Sequence, residues 1–237
     1  MASALYANEY PINDYIKINI PTVGEVLDNE DVYYNIVCSI IATPYEMMVQ
    51  LDDNGIDFTK INAFELFCLM LKRLQKEDTS MVFVGMDLKN FQAAVNQENG
   101  AMVIVDTETG VTIDRATHDM ICNFLRKMLN MPKNDKRPGN EEARKYMIER
   151  ARIKQRRKNR SKKSTSQLEG LIVSLVNTAE FPYNYETVRN MTIYQFYASL
   201  KQIIRKVRFD NTMIGCYAGT VKFDDLTNEE KIWIQID

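Results

Sequence analysis

Histidine is almost missing from this chain: His118 is the only one in 237 residues. A dyad or triad built on it would need a nucleophile elbow or a reactive cysteine nearby, and the sequence has neither. Its place near the start of a helical stretch predicts a solvent-facing or helix-capping residue. Glycine and proline are also scarce, at 9 and 6, which favours helices over an all-β sandwich. Gly24, Gly85, Gly100 and Gly110 stand apart, and no phosphate-binding glycine motif exists. Asp52 to Asp57 lacks the spacing of a calcium loop and reads as a turn. The four cysteines lie at intervals of 30, 54 and 94, without a CxxC or zinc-ligand pattern. Each sits in an apolar stretch, so they are expected to be small buried residues in a reducing compartment. The opening MASALYANEYPINDY has acids and no basic signal-peptide region. The longest apolar runs, Asn35 to Ala42 and Leu171 to Val176, are too short to cross a bilayer. These absences together predict a cytosolic protein that is not an enzyme, with no catalytic, cofactor-binding or metal-binding residues and no membrane partner.

What the chain does have is one block of charge. From Arg150 to Lys163 there are nine basic residues in fourteen and no acid: Arg150, Arg152, Lys154, Arg156, Arg157, Lys158, Arg160, Lys162 and Lys163. Lys133 to Lys163 carries 14 basic and 4 acidic residues, a net of +10, against −2 for the whole chain. The remainder is therefore at −12, and a near-neutral total conceals a polarised molecule. Such a tract can meet nucleic acid, an acidic protein surface or the protein's own acidic remainder, or it can be a solvated helix end and linker. It contains no aromatic residue for base stacking and lies in no nucleic-acid-reading motif.

Periodicity predicts an α+β part over 15–129, a linker and basic helix over 130–165, and an all-helical part over 166–237, mostly helical overall. Residues 1–14 read as a loose arm. Tyr15 to Ile20 alternates as a half-buried strand. Helices are expected from Asp28 to Asp31 onward, after the Thr43-Pro44 cap, and after Asn62, where an apolar face nearly all round predicts a central position. Ser80 to Gly85 reads as a strand and 101–113 as a β-hairpin with a glycine turn. A helix follows over 115–129. Capping boxes at Ser166, Thr192 and Thr227 open three further helices. The second of these carries Ile193, Phe196, Tyr197, Leu200, Ile203, Ile204 and Val207 on one stripe. Tyr33, Tyr34, Tyr183 and Tyr185 read as core or interface residues.

Four stretches carry a resemblance: IKINIPTVGEVLDNEDVYY (Ile16–Tyr34), EEARKYMIERAR (Glu141–Arg152), SQLEGLIVSLVNT (Ser166–Thr178) and TIYQFYASLKQIIRKVRFDNTMIGCYAGT (Thr192–Thr220). Together they resemble a family encoded among the tail genes of tailed phages and prophages of Gram-positive bacteria. The capped C-terminal helices resemble the helical parts of phage tail assembly chaperones. The resemblance implies a non-enzymatic helper in the host cytoplasm that binds the tape-measure protein or tail-tube subunits and is absent from the finished virion. It brings no catalytic residue. The β-rich stretch 80–113 departs from such chaperones, which keeps a structural tail or baseplate component of the virion open. A nucleic-acid-binding phage protein using the tract 150–163 is open too, as is self-association. Any such tract attracts polyanions weakly, with a Kd of roughly 10⁻⁴–10⁻⁶ M.

Overall fold

The computed structural model describes residues 3–97, 100–160 and 166–234, except for the side chains of 158–160. Within these residues eight α-helices and two small antiparallel sheets form a mostly helical α+β architecture. The first sheet pairs β1 (Glu9–Pro11) with β2 (Lys17–Asn19), placing Tyr10 opposite Ile18. Asn13 makes the turn, its side-chain oxygen accepting from the amides of Tyr15 and Ile16. Residues 9–11 are therefore not a loose arm. Tyr10 stacks on Phe124 with ring centroids 3.9 Å apart, and apolar contact offsets the entropy of ordering the segment.

Helix α1 (Val23–Asp28) opens on a reciprocal capping box between Thr22 and Glu25. The motif is plain in the sequence, and the expected helix start at 28–31 missed it. Helix α2 (Glu30–Ile41) follows. Thr43 and Glu46 do bond reciprocally, but they hold a turn, and α3 (Met48–Asp53) begins after it. Helix α4 (Ala63–Leu74) opens on an Asn62–Glu65 capping box. Its wide apolar face serves two clusters. Phe64, Phe67, Leu71 and Leu74 enter the main core, while Leu66 enters a smaller one with Met48, Leu51 and Phe58.

The segment 80–85 is not a strand of its own. A 3-10 turn at Thr79–Met81 precedes a single bridge from Phe83 to Ile18. The second sheet has the order β3 (Phe91–Val95), β4 (Met102–Asp106), β5 (Thr112–Ile113). The hairpin lies where the alternation and Gly110 put it. Gly110 has φ 72°, a left-handed value that costs glycine little.

Helix α5 (Arg115–Met128) buries Ile121, Phe124, Leu125 and Met128. Helix α6 (Glu141–Arg160) carries the basic tract, and α7 (Gln167–Val176) and α8 (Ile193–Tyr217) complete the helices. The main core is continuous across the chain. Leu168, Ile172 and Leu175 of α7 and Ile193 and Phe196 of α8 share it with Ile16, Tyr33 and Phe67. The caps of α1 and α8 abut: Ile193 donates to the Pro21 carbonyl and Val23 to that of Met191, both at 2.8 Å. Gly24 permits this approach, since a Cβ there would lie 3.2 Å from the Arg189 carbonyl oxygen. Glu30 of α2 accepts from the first amides of α7, Gln167 and Leu168, each at 3.0 Å. A carboxylate at that end also matches the helix dipole.

Phe196 is the last fully buried residue of α8; Tyr197, Leu200 and Ile203 still pack partly buried against the main core, and the turns beyond them leave the body. Thr227 bonds reciprocally with Glu230, yet only a turn follows. Residues 223–234 instead run back along α8.

Candidate partner-binding surface

The basic helix is built in two halves. Asn140 accepts from the Ala143 amide at 2.8 Å, and Glu141 and Glu142 occupy the first turn, where the dipole favours acids. Ile148 is buried in the smaller cluster, with Met147 and Ala151 packed beside it. Two arginines fasten this half to the body. Arg144 bonds Glu141 at 2.6 and 2.8 Å and lies 3.8 Å from Asp57. Arg152 divides its guanidinium between Asp52 at 2.7 Å and Asp53 at 2.6 Å. The side-chain bonds to Asp52 and Asp53 raise the pKa of Arg152, and the bond to Glu141 does the same for Arg144. Asp57 is held below the usual carboxylate range by its bonds from Thr59 first, with smaller help from the charges of Arg144 and Lys60.

The outer half is different. Arg150, Lys154, Arg156 and Arg157 are exposed and form no ion pair with another described residue. The side chains of Lys158 and Arg160, and Lys162 and Lys163 altogether, lie outside the described residues. Of the nine basic residues singled out in the sequence, Arg152 thus meets the protein's own acids, and four stand in water. A run of basic residues does not reveal which of them a tertiary acid will take. Residues 52 and 53 read only as a turn because their partner lies 100 residues away.

The sole histidine lies inside, contrary to the sequence expectation. His118 is 0% exposed and stacks against Phe67 at 4.6 Å. Its Nε2 lies 3.0 Å from the Ile40 carbonyl oxygen. One turn on, Cys122 Sγ lies 3.3 Å from that nitrogen and 3.5 Å from the same carbonyl. Another turn on, Arg126 donates to the Ile41 carbonyl and, at 2.8 Å, to that of Pro132. Three polar side chains at intervals of four thus receive the last carbonyls of α2, which have no partner in their own helix. Burial pushes the Cys122 thiol up to about 12, so it is a protonated thiol at neutral pH and not a nucleophile. Burial likewise lowers the His118 pKa. The pair is a helix cap in geometry. Cys122 is the only buried cysteine: Cys68 and Cys216 are part-buried, and Cys38 is exposed because it falls on the outer side of α2. No group of three or more His, Cys, Asp or Glu could hold a metal ion among the described residues. No helix described is long and apolar enough to cross a membrane.

A second surface lies on α7 and α8. Their apolar stripes enclose a groove of about 680 Å³, floored by Leu175, Leu200, Ile203, Ile204 and Val207. Ile204 is 51% and Ile214 63% exposed. The periodicity had found this stripe without showing that its outer half faces water.

Residues 158–235 match the family model described as the YomV second domain. The match suggests a phage-type protein, like YomV of a Bacillus prophage. It spans the end of the basic tract, α7, α8 and the returning tail, about a third of the chain. No curated protein and no solved structure matches the chain.

Proposed function

We propose that the protein is a non-enzymatic tail assembly factor of a phage, acting in the host cytoplasm as a chaperone for the tape-measure protein or tail-tube subunits. The observation that carries this reading is the split basic helix. Its inner half is fastened by Ile148, Arg144 and Arg152, so Arg150, Lys154, Arg156 and Arg157 are presented on a supported helix. An acidic partner then meets charges already ordered in space, and less side-chain and backbone entropy is lost on binding. The phage-type match over 158–235 and the likeness of the capped C-terminal helices to tail chaperones support the same reading.

The partner is an acidic protein surface. The tract lacks interleaved aromatic residues, and phosphate backbones alone give only weak, salt-steep binding to such a run. The test replaces Arg156, Arg157, Lys158 and Arg160 with Ser and measures binding of duplex DNA, RNA and a tape-measure fragment at physiological salt. The fragment is expected to bind the parent chain more tightly than either nucleic acid and to lose at least tenfold in the variant. Submicromolar binding of DNA or RNA, lost in the variant while the fragment still binds, would instead make this a nucleic-acid-binding protein. Stoichiometric presence of the chain in purified virions would favour a structural tail component.

A further inference from the structure

The tail of the chain indicates which chemistry α8 attracts. Gly219, with φ 74°, turns the chain, and Val221 packs so closely on Gly215 that a Cβ there would lie 3.0 Å from it. The segment then runs back until Trp233 accepts from Gln202 at 3.1 Å and lies under the Lys206 ammonium, 6.0 Å from its ring centroid. From Phe223 to Ile234 this strip holds Asp224, Asp225, Glu229 and Glu230 against one lysine, together with Leu226, Ile232 and Trp233. It covers one flank of a helix that carries Lys201, Arg205, Lys206 and Arg208 against Asp210. Ile232 and Trp233 of the strip line a cleft against Phe209 and Thr212 of α8, and Glu229 and Glu230 line it beside Arg205 and Arg208. Glu230 is held below the usual carboxylate range by its bonds from Thr227 first and by the Arg208 charge beside it, so the strip sets apolar and acidic side chains against apolar and basic ones of α8.

The opposite flank of α8 is open. Ile204, Val207, Asn211 and Ile214 succeed one another at steps of three and four and are all exposed. This spacing keeps a single seam facing a partner helix. Leu175 of α7 and Thr178, just past its end, form the other wall of the groove, and Arg208 is the only charged residue in its lining. From these observations we propose that the α7–α8 groove is a docking site for an amphipathic helix of another protein, apolar along one stripe and acidic along its edge. A second copy of α8 is a poor occupant. The inner part of the same stripe, Ile193 and Tyr197, already lies against the body, so a second α8 could enter only antiparallel. Ile204 would then face Ile214 of the other copy, and two Arg208 side chains would meet on one flank. An acidic helix turns that repulsion into attraction. The site is separate from the basic end of α6, and the two can be tested apart.

The probes are three fluorescein-labelled synthetic peptides of about 21 residues, long enough to be helical. One has Leu along the stripe and Glu on the edges. The second has Lys for Glu, and the third has Ser for Leu. Fluorescence anisotropy is read with the full chain, with Ile204→Asp/Ile214→Asp, with Arg208→Glu and with Arg156→Ser/Arg157→Ser. Ile204, Ile214 and Arg208 are exposed, and an unchanged melt confirms that these variants fold. The Leu/Glu peptide is expected to bind most tightly. It should lose at least tenfold in Ile204→Asp/Ile214→Asp, lose severalfold in Arg208→Glu and keep its affinity in Arg156→Ser/Arg157→Ser. Loss that follows the α6 variant instead, or equal binding of the Leu/Lys peptide, overturns the proposal. So does a dimer in sedimentation that Ile204→Asp/Ile214→Asp abolishes, because a second copy would then fill the groove.

Discussion

Tyr33 is fully buried, and its hydroxyl has no hydrogen-bond partner among the described residues. Its neighbour Tyr34 is satisfied by Tyr197, oxygen to oxygen at 2.7 Å. Burial pushes both tyrosine pKa values far up, so these phenols stay neutral. A buried hydroxyl without a partner costs desolvation and returns nothing. Tyr33→Phe should therefore hold or raise stability, by up to about 1 kcal/mol; a lowered midpoint in chemical denaturation would show that the hydroxyl is bonded. His118 makes the opposite kind of prediction. Its pKa is depressed in the fold by burial first, partly opposed by the bond at Ile40. The unfolded chain, with an ordinary value of about 6.5, then binds the proton more readily than the folded one. Stability is complete above that pH and declines as pH falls below it. Urea midpoints between pH 7.5 and 5 should show this slope. In His118→Gln the histidine part of the slope should vanish, whereas the carboxylates contribute only at lower pH.

Helix α6 shows how an element with little apolar surface becomes ordered. Among its described side chains, from 141 to 157, only Ile148 is buried. It enters the smaller cluster formed with α3 and Phe58, while Arg152 closes over Asp52 and Asp53. These ion pairs are part-exposed, so they set the position of the helix more than its stability. The apolar contact carries the energy, and truncating a buried isoleucine costs roughly 2–5 kcal/mol. Ile148→Ala should release α6 locally. Hydrogen exchange is expected to accelerate in α6 and α3 while α5 and the first turns of α8 stay protected. Uniform acceleration would mean that α6 belongs to the global unfolding unit. Because α6 presents the exposed arginines, the same variant should weaken the acidic partner without touching a basic residue. Helix α8 has the contrary design. Its Thr192 box and its first residues are anchored, and the remaining turns reach outward with one flank covered by the tail.

At the scale of the whole molecule, charge and core are distributed differently. The charge is divided along the chain, with a net of +10 over 133–163 and −12 elsewhere. The main core is shared: Leu168, Ile172, Leu175, Val188, Ile193 and Phe196 pack with residues from 16 to 129. A fragment ending at residue 129 would lose those side chains and expose Tyr10, Tyr34 and Phe124 together. It is expected to lack a cooperative thermal transition, while the full chain melts in one step that includes α7 and the start of α8. A sharp melt of the isolated 1–129 fragment would show that the core on its side is sufficient alone.

Local chemistry along the chain was enough to place much of this architecture. The Asn62, Ser166 and Thr192 caps start helices where Ser, Thr or Asn precedes Glu or Gln by three, since those groups satisfy orphan amides without distant help. The 101–113 hairpin follows from alternation around Gly110, and the helix after Asp114 from its apolar face. The position of the basic tract is sequence as well. Burial and pairing required the fold. Cys38 and Cys122 sit in similar apolar stretches, and only packing decides that one faces water and the other the core. His118 stands on a helix like any other polar residue until α4 and the end of α2 close over it. Residues 9–11 become a strand because Tyr10 finds Phe124. Arg152 is withdrawn from the basic surface by carboxylates 99 and 100 positions earlier. The stripe on α8 is legible as a period of three and four, but a period does not say how far the body reaches along it. Burial fades along the stripe from Phe196 to Ile203 and the same pattern changes from core to docking surface, because contact depends on what lies opposite a residue and not on its neighbours in the chain.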